Sequence, residues 1–266
     1  GIENLTGSNN NDTLTGNSAA NFLDGGAGID TMTGGDGSDT YYVRDVGDFV
    51  SETNATASSG GTDVVYSYLS SYTLGTNVEN GCILSAGAAN LTGNSLANVL
   101  YASVGNNALD GGTGTDTVSY AYATAAVQVS LAVTTAQATG GSGYDRLVGI
   151  ENLTGSAYAD TLTGNSTANV LDGGAGIDTM TGGDGSDSYY VRDVGDLVSE
   201  TNATASSGGT DLVYSYLSSY TLGANVENGR LLSTNAANLT GNSLNNLLYA
   251  GVGNNVLNGS TGIDTV

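Results

Sequence analysis

The stretch GGAGIDTMTGGDGSDTYY, residues 25–42, contains the same nine-residue unit twice in succession. Each unit reads Gly-Gly-x-Gly-x-Asp-x-apolar-x, and the second begins directly after the first. The pair recurs at residues 173–190. Tandem units in a fixed phase are typical of a solenoid, in which every unit adds one turn and one short strand.

The residue types in this unit suit a metal site with oxygen ligands. Glycines at positions one, two and four permit positive φ angles and close backbone approach, so that carbonyl oxygens can point at one spot. The aspartate at position six adds a carboxylate, and calcium takes six to eight such oxygens. The last three residues form a short strand with one inward apolar side chain. The unit therefore predicts alternating turns and strands that fold around calcium ions.

The nine-residue phase extends beyond the perfect units. The apolar position recurs every nine residues, at Leu5, Leu14, Leu23, Met32, Tyr41 and Val50. A second run has the same spacing, at Leu91, Leu100, Leu109 and Val118. These runs predict further turns of the same all-β solenoid.

A longer repeat contains the nine-residue one. Residues 1–118 align without gaps to residues 149–266, and roughly five positions in six are identical. Between them, residues 127–131 alternate as a strand does, and residues 140–148 form another unit of the turn type. We therefore expect a first module at 1–118, a connecting strand and an additional calcium-type turn at 119–148, and a second module at 149–266.

The pairing of turns follows if two units make one coil, because alternate turns then stack in one column. Turns beginning at Gly7, Gly25 and Val43 form one column, and those beginning at Gly16 and Gly34 form the other. Ions would lie between successive position-six residues of a column. In the first copy these residues are Asp12, Asn21, Asp30, Asp39 and Asp48, and in the second Asp160, Asn169, Asp178, Asp187 and Asp196. Turns that match the nine-residue unit less well supply three further candidate ligands, Asp116, Asp145 and Asp264.

Composition narrows the range of functions. The chain has 266 residues, 42 glycines, no proline, no histidine and a net charge of -22, and its cations are Arg44, Arg146, Arg192 and Arg230. Without a basic surface we expect no nucleic-acid partner. No apolar run is long enough for a membrane span. Without histidine or lysine the usual general bases and nucleophiles are missing, so we do not expect an enzyme.

The charge also indicates that metal decides the fold. Two carboxylates about 5 Å apart repel by roughly 3 kcal/mol at an effective dielectric constant near 20. One inward apolar residue per unit offsets little of that repulsion. A calcium site with a dissociation constant of about 0.3 mM contributes about 2 kcal/mol at about 10 mM calcium. Several such sites predict a chain that is unfolded without calcium and folded with it.

Three stretches, residues 39–52, 61–65 and 71–80, resemble the haemolysin-type calcium-binding (RTX) repeat regions of large secreted bacterial proteins. The resemblance implies a parallel β-roll, calcium-triggered folding and export through a type I secretion system. It implies that the ligands are the position-six residues together with main-chain oxygens. Those oxygens belong to Gly25, Ala27, Gly34 and Asp36, and to their counterparts Gly173, Ala175, Gly182 and Asp184.

The sequence leaves three functional classes open. The first is a structural repeat of an extracellular assembly, such as a surface layer, a filament or an adhesin stalk, that associates with identical modules. The near-identity of the two copies favours it. The second is an accessory β-roll of a secreted enzyme or toxin. The third is an ice-binding solenoid, suggested by the outward threonines of residues 13–15 and 31–33. Both ends cut through the repeat pattern, so we expect a longer parent protein.

Overall fold

The structure is a computed structural model that describes residues 1–54, 60–202 and 208–266. Within these ranges every regular element is a β-strand, and most strands have three or four residues. No helix among them is long and apolar enough to cross a membrane. Contacts divide the chain into two compact units. Unit 1 is Gly1–Tyr122, Thr134–Gln137 and Ser142–Ile150, and unit 2 is Ala123–Val133, Ala138–Gly141 and Glu151–Val266.

Most strands follow the nine-residue spacing. The first half of the chain contains β1 (Asn4–Thr6), β2 (Thr13–Thr15), β3 (Phe22–Asp24), β4 (Thr31–Thr33), β5 (Thr40–Val43), β6 (Phe49–Ser51), β7 (Val64–Ser67), β8 (Ser71–Thr73), β9 (Asn80–Ile83), β10 (Ala89–Thr92), β11 (Val99–Tyr101), β12 (Asn107–Asp110) and β13 (Thr117–Ser119). The remainder contains β14 (Gln128–Ser130), β15 (Gln137–Gly140), β16 (Gly143–Val148), β17 (Asn152–Thr154), β18 (Thr161–Thr163), β19 (Val170–Asp172), β20 (Thr179–Thr181), β21 (Ser188–Val191), β22 (Leu197–Ser199), β23 (Leu212–Ser215), β24 (Ser219–Thr221), β25 (Asn228–Leu231), β26 (Asn238–Thr240), β27 (Leu247–Tyr249) and β28 (Val256–Asn258). The nine-residue spacing is interrupted between β6 and β7, between β13 and β17 and between β22 and β23.

In unit 1 successive strands alternate between sheets. The odd strands form one parallel sheet in the order β1-β3-β5-β7-β9-β11-β13. The others form the parallel sheets β2-β4-β6 and β8-β10-β12-β16. Leu5 is in register with Leu23, and Leu14 with Met32, so each coil contains two units. The predicted all-β solenoid with alternate stacking is confirmed.

Unit 2 repeats this arrangement with the parallel orders β17-β19-β21-β23-β25-β27, β14-β18-β20-β22 and β24-β26-β28. The predicted strand at residues 127–131 is β14, which pairs with β18. Residues 140–148 differ from the predicted turn, since Gly143–Val148 form one six-residue strand. The reason is that Gly140 pairs antiparallel with Val127, and the Gly141 N–H donates to the Ala126 carbonyl. Gly140 is therefore used in strand pairing, and Gly141 lies in the turn between β15 and β16.

The core is a column of central strand residues. In unit 1 the registered residues Leu23, Tyr41 and Val65 are fully buried. The column continues through Gly81, where a Cβ atom would lie 2.9 Å from Leu91 Cδ2. Three-residue strands bury at most one apolar residue, and the four-residue strand β5 buries two, Tyr41 and Val43, so the thin interior has little room for rearrangement.

The outward threonines are also in register. Thr13 pairs with Thr31, and Thr15 with Thr33, which confirms the two predicted rungs on one face. The next strand of that sheet presents Phe49 and Ser51 at the same positions. The threonine ladder of unit 1 therefore ends after two rungs.

The thin core predicts a sharp contrast between two neighbouring apolar residues. Met32→Ala removes a fully buried side chain and is expected to destabilise the calcium-bound protein by about 2–5 kcal/mol. Ile29→Ala, at an exposed side chain of the adjacent turn, is the matched control and is expected to change stability by less than about 1 kcal/mol. Denaturant unfolding in saturating calcium measures both, and equal losses would contradict the proposed core.

Candidate metal centres

The turns bring stacked backbones very close together. Gly26 and Gly28 have φ angles of 91° and 126°, in the region that L side chains avoid. A Cβ atom at Gly26 would collide with the Ser8 carbonyl oxygen of the turn one coil earlier, and one at Gly28 with the backbone of Asn10. Glycine is therefore required both for the turn and for the spacing between coils.

Beyond the first coil, one carboxylate oxygen of the position-six aspartates joins each of them to the coil before. The Asp12 N–H donates to Asp30 Oδ1 at 2.8 Å, and the Asp30 N–H to Asp48 Oδ1 at 3.0 Å. In the other column the Asn21 N–H donates to Asp39 Oδ1 at 2.6 Å. Unit 2 repeats the pattern from Asp160 to Asp178, from Asp178 to Asp196 and from Asn169 to Asp187. The structure thus brings the predicted pairs together.

The second carboxylate oxygen is different. Oδ2 of Asp30, Asp39, Asp178 and Asp187 is buried and has no hydrogen-bond partner within the described ranges. Each of these oxygens faces the first glycine of its own turn, where a Cβ atom would collide with it. A buried carboxylate without a partner is costly, and a bound cation removes that cost. The donor set therefore fits calcium.

In the aspartates at the ends of the columns, Oδ2 does have a partner, because it accepts a hydrogen bond from a backbone N–H of its own turn. Asp12 Oδ2 accepts from the Ser8 N–H at 2.5 Å, and Asp48 Oδ2 accepts from the Arg44 N–H at 2.9 Å. In unit 2, Asp160 Oδ2 accepts from the Ser156 N–H and Asp196 Oδ2 from the Arg192 N–H. These carboxylates have less capacity left for an ion than the inner ones.

The main-chain oxygens predicted from the resemblance divide into two groups. The carbonyl oxygens of Gly25 and Gly34 face the first glycine of the turn one coil earlier, and those of Gly173 and Gly182 do the same. The roles of the Ala27, Asp36, Ala175 and Asp184 carbonyls stay predictions. The Asp36 side chain accepts a hydrogen bond from Asn54 Nδ2, and the Asp184 side chain accepts one from Asn202 Nδ2.

Asparagine at position six satisfies its turn with hydrogen bonds. Asn21 Oδ1 accepts from the Asn17 N–H at 2.7 Å, while its amide donates to the Glu3 carbonyl at 3.4 Å. Asn169 makes the equivalent contacts with Asn165 and Glu151. The amide therefore supplies a donor as well as an acceptor, and its role as a calcium ligand stays a prediction.

The three poorer candidates occupy two kinds of position. Asp116 Oδ1 accepts from the Asn98 N–H, and Asp264 Oδ1 from the Asn246 N–H, as in the better turns. Asp145 Oδ1 accepts from the Asn107 N–H, and burial together with the nearby Asp145 carboxylate raises the pKa of Tyr120. Asp145 lies inside β16 and not in a turn.

Sequence reasoning missed two acidic clusters. Carboxylate oxygens of Asp39, Glu52 and Asp63 all lie within 4.8 Å of one another, and unit 2 contains the same arrangement of Asp187, Glu200 and Asp211. Asp63 follows Asp39 by 24 residues, whereas Asp30 and Asp48 are 18 residues apart. The pattern Asp-x-apolar at residues 63–65 was the available signal, but it falls outside the nine-residue phase.

Burial raises the pKa values of these carboxyl groups. Desolvation, with the nearby charges of Glu52, Glu79 and Asp39, raises the pKa of Asp63 to about 8. Desolvation together with neighbouring carboxylates also raises the pKa of Glu200 to about 8 and that of Asp211 to about 7. Without a cation, these groups favour the protonated form.

A family model of the RTX calcium-binding nonapeptide repeat, in four copies, matches more than half of the chain. The matched residues are 6–41, 15–49, 85–120, 145–180, 154–189, 163–196 and 236–266. The chain belongs to this family. The resemblance to RTX proteins is confirmed, and the RTX repeats imply calcium binding at the turns. A search of curated proteins found no match.

The raised pKa values predict how the metal-free RTX chain responds to pH. An unfolded carboxyl has a pKa near 4, whereas the folded values for Asp63 and Glu200 are about 8. The higher proton affinity of the folded carboxyl groups therefore stabilises the fold fully below about pH 4. This stabilisation is lost as the pH rises toward 8. Circular dichroism of calcium-free protein is expected to show more β-structure at pH 5 than at pH 8.5. Equal spectra would contradict the prediction, and calcium-saturated protein at pH 8.5 is the control.

The contrast between aspartate and asparagine turns predicts a gain of calcium dependence. Asn21→Asp adds a second carboxylate beside Asp39, so it is expected to lower thermal stability at low calcium and to increase the stabilisation by saturating calcium by about 1–2 kcal/mol. Asn9→Asp adds the same charge at an exposed position and is the control. Melting temperatures at the lowest calcium concentration that folds the chain and at saturating calcium measure the effect, and an equal response of both variants would contradict the prediction.

Proposed function

We propose that this chain is a calcium-stiffened structural repeat of an extracellular assembly, such as a surface layer, a filament or an adhesin stalk. The observation that supports it best is the repetition of the same stacked carboxylate turns in both units. Equal modules suit a spacer or a polymer, because each adds the same length and the same surface.

The energetics support folding after export. With a net charge of -22, the chain repels itself unless cations bind between its coils. A solenoid is stabilised mainly by contacts between neighbouring coils, so ions between coils stabilise every interface in turn. Where calcium is scarce the chain stays unfolded, which suits passage through a type I secretion system. Where calcium is millimolar it folds.

Both units also present the same exposed apolar side chains, which supports association with identical modules. In unit 1, Ile29 and Val46 line one shallow depression, and Val46 is 82% exposed. In unit 2 the equivalent Ile177 and Val194 are 61% and 81% exposed. Apolar side chains exposed at equivalent places in both units are a natural contact for a further copy.

The proposed role needs no catalysis. The chain has neither histidine nor lysine, and the inner position-six aspartates are buried in turns. We therefore propose a structural, calcium-binding role for this chain and no catalytic one.

A calcium titration tests the proposal. Far-UV circular dichroism is expected to show a cooperative change from coil to β-structure at millimolar calcium, and electron microscopy of the same samples to show filaments or sheets. The transition without assembly, at any protein concentration tried, would contradict the assembly role while leaving calcium-dependent folding intact. β-Structure that is insensitive to chelator would contradict both.

The exposed valines give a matched test of association. Val46→Ser together with Val194→Ser is expected to raise the protein concentration required for assembly at least about tenfold. The calcium transition is expected to be unchanged. Val252→Ser changes an equally exposed valine elsewhere and serves as the control. Sedimentation velocity in calcium measures the result, and unchanged assembly by the double variant would rule these contacts out.

A further inference from the structure

Glu52 occupies an unusual position in the column that contains Gly34 and Asp39. It follows Gly34 by 18 residues, which is one coil of two repeat units. Glu52 therefore occupies the first position of a unit, where the repeat has glycine. Its Oε1 accepts from the Gly34 N–H at 3.1 Å, and its Oε2 from the Gly35 N–H at 3.2 Å. The side chain is buried, so its carboxylate is fixed against the turn that contains Asp39.

Asp63 completes a group of three carboxylates. Its Oδ1 accepts from the Asp39 N–H at 2.7 Å, as in the RTX ladder. Its Oδ2 is buried and has no hydrogen-bond partner within the described residues, and the same holds for Asp39 Oδ2 and the Tyr41 hydroxyl. Both Asp39 and Asp63 are 0% exposed.

The space between these groups is kept open by glycine. A Cβ atom at Gly34 would collide with both Asp39 Oδ2 and the Tyr41 hydroxyl. Unpartnered polar atoms from two side chains therefore converge on one small volume in front of Gly34. A hard cation is the ligand that such a volume, lined by anionic oxygens, would accept.

Unit 2 contains the same construction. Asp187 Oδ2 and Glu200 Oε2 are buried without a partner in the described part of the chain, and the Tyr189 hydroxyl donates to Glu200 Oε1. A Cβ atom at Gly182 would collide with Asp187 Oδ2 and with the Tyr189 hydroxyl. Two independent units thus present equivalent clusters.

We propose that the clusters Asp39–Glu52–Asp63 and Asp187–Glu200–Asp211 are a second class of cation site, each holding one calcium ion with three side-chain carboxylates. Oxygens bound to one calcium at about 2.3–2.6 Å lie within roughly 5 Å of one another. Each cluster meets that limit, since one carboxylate oxygen from each of its three residues lies within 4.8 Å of the other two.

These sites differ from the RTX turns in chemistry and in sequence. The nonapeptide turn is predicted to use main-chain carbonyls with aspartates, whereas each cluster offers three full negative charges. Glu52, Asp63, Glu200 and Asp211 lie outside the residues matched by the RTX family model, whereas Asp39 and Asp187 belong to turns inside them. Because calcium affinity rises with the charge of the ligands, the clusters fill before the turns as calcium rises. The inference rests on the proposed function in one respect, which is that the chain folds into a solenoid when calcium is present.

Calcium counting on matched variants tests the proposal. Glu52→Gln with Glu200→Gln removes one charge from each cluster, and Glu3→Gln with Glu151→Gln removes the same charge at equivalent positions of the two copies. Isothermal titration calorimetry of the full chain is expected to show that the two tightest ions of the wild type bind at least about tenfold more weakly in the first variant only. Binding unchanged from wild type in both variants would overturn the proposal.

A luminescence measurement covers the case in which the glutamine variant fails to fold. Terbium is a hard trivalent stand-in for calcium, and a nearby tyrosine sensitises its emission. With two equivalents of terbium on folded protein, Tyr41→Phe with Tyr189→Phe, which keeps all the carboxylates, is expected to lose more than half of the emission. Tyr68→Phe with Tyr216→Phe is the control at exposed tyrosines. Equal emission from both variants would overturn the proposal.

The two proposals fail in distinguishable ways. If the wild-type chain shows no calcium-dependent β-structure, the proposed function fails. If it shows that transition but the Glu52→Gln and Glu200→Gln variant retains the two tightest ions, only the cluster sites fail.

Discussion

The coils are joined by aspartates whose two carboxylate oxygens have different tasks. One oxygen accepts the backbone N–H of the position-six residue one coil earlier, as Asp30 does for Asp12 and Asp39 for Asn21. The other is buried beside the first glycine of its own turn. The hydrogen bond orients the carboxylate, and the second oxygen then needs a cation, because burial removes the water that would solvate it. Folding and metal binding are thus one process.

Glycine and the short strand follow from the same constraint. The second-position glycine at Gly26 leaves no space for a Cβ atom against the coil before, and Gly28 adopts a φ angle of 126° that side chains rarely tolerate. Three residues then suffice for a strand, and one of them points inward. The interior is consequently thin, and its apolar burial cannot overcome the repulsion among the carboxylates without cations.

The acidic clusters lie where the 18-residue repeat of the coils is interrupted. Between Asp39 and Asp63 the chain takes 24 residues for one coil instead of 18, and the ladder still continues from Asp39 to Asp63 and on to Glu79. Glu52 replaces a glycine in the column and puts a carboxylate against the Gly34 turn. The departure from the repeat therefore concentrates charge, and it does so identically in unit 2.

The sequence by itself determined the strands, their register and the aspartates of the turns, because a nine-residue period with glycine and aspartate at fixed places allows only one face to point inward. It therefore predicted that Asp30 would meet Asp12 and Asp48. Only the tertiary structure decided which carboxylate oxygens are left without partners, that residues 143–148 form a strand, and that Glu52 and Asp63 join Asp39. Those facts depend on contacts between residues far apart in the chain, at places where the period is interrupted, and a local repeat carries no information about them.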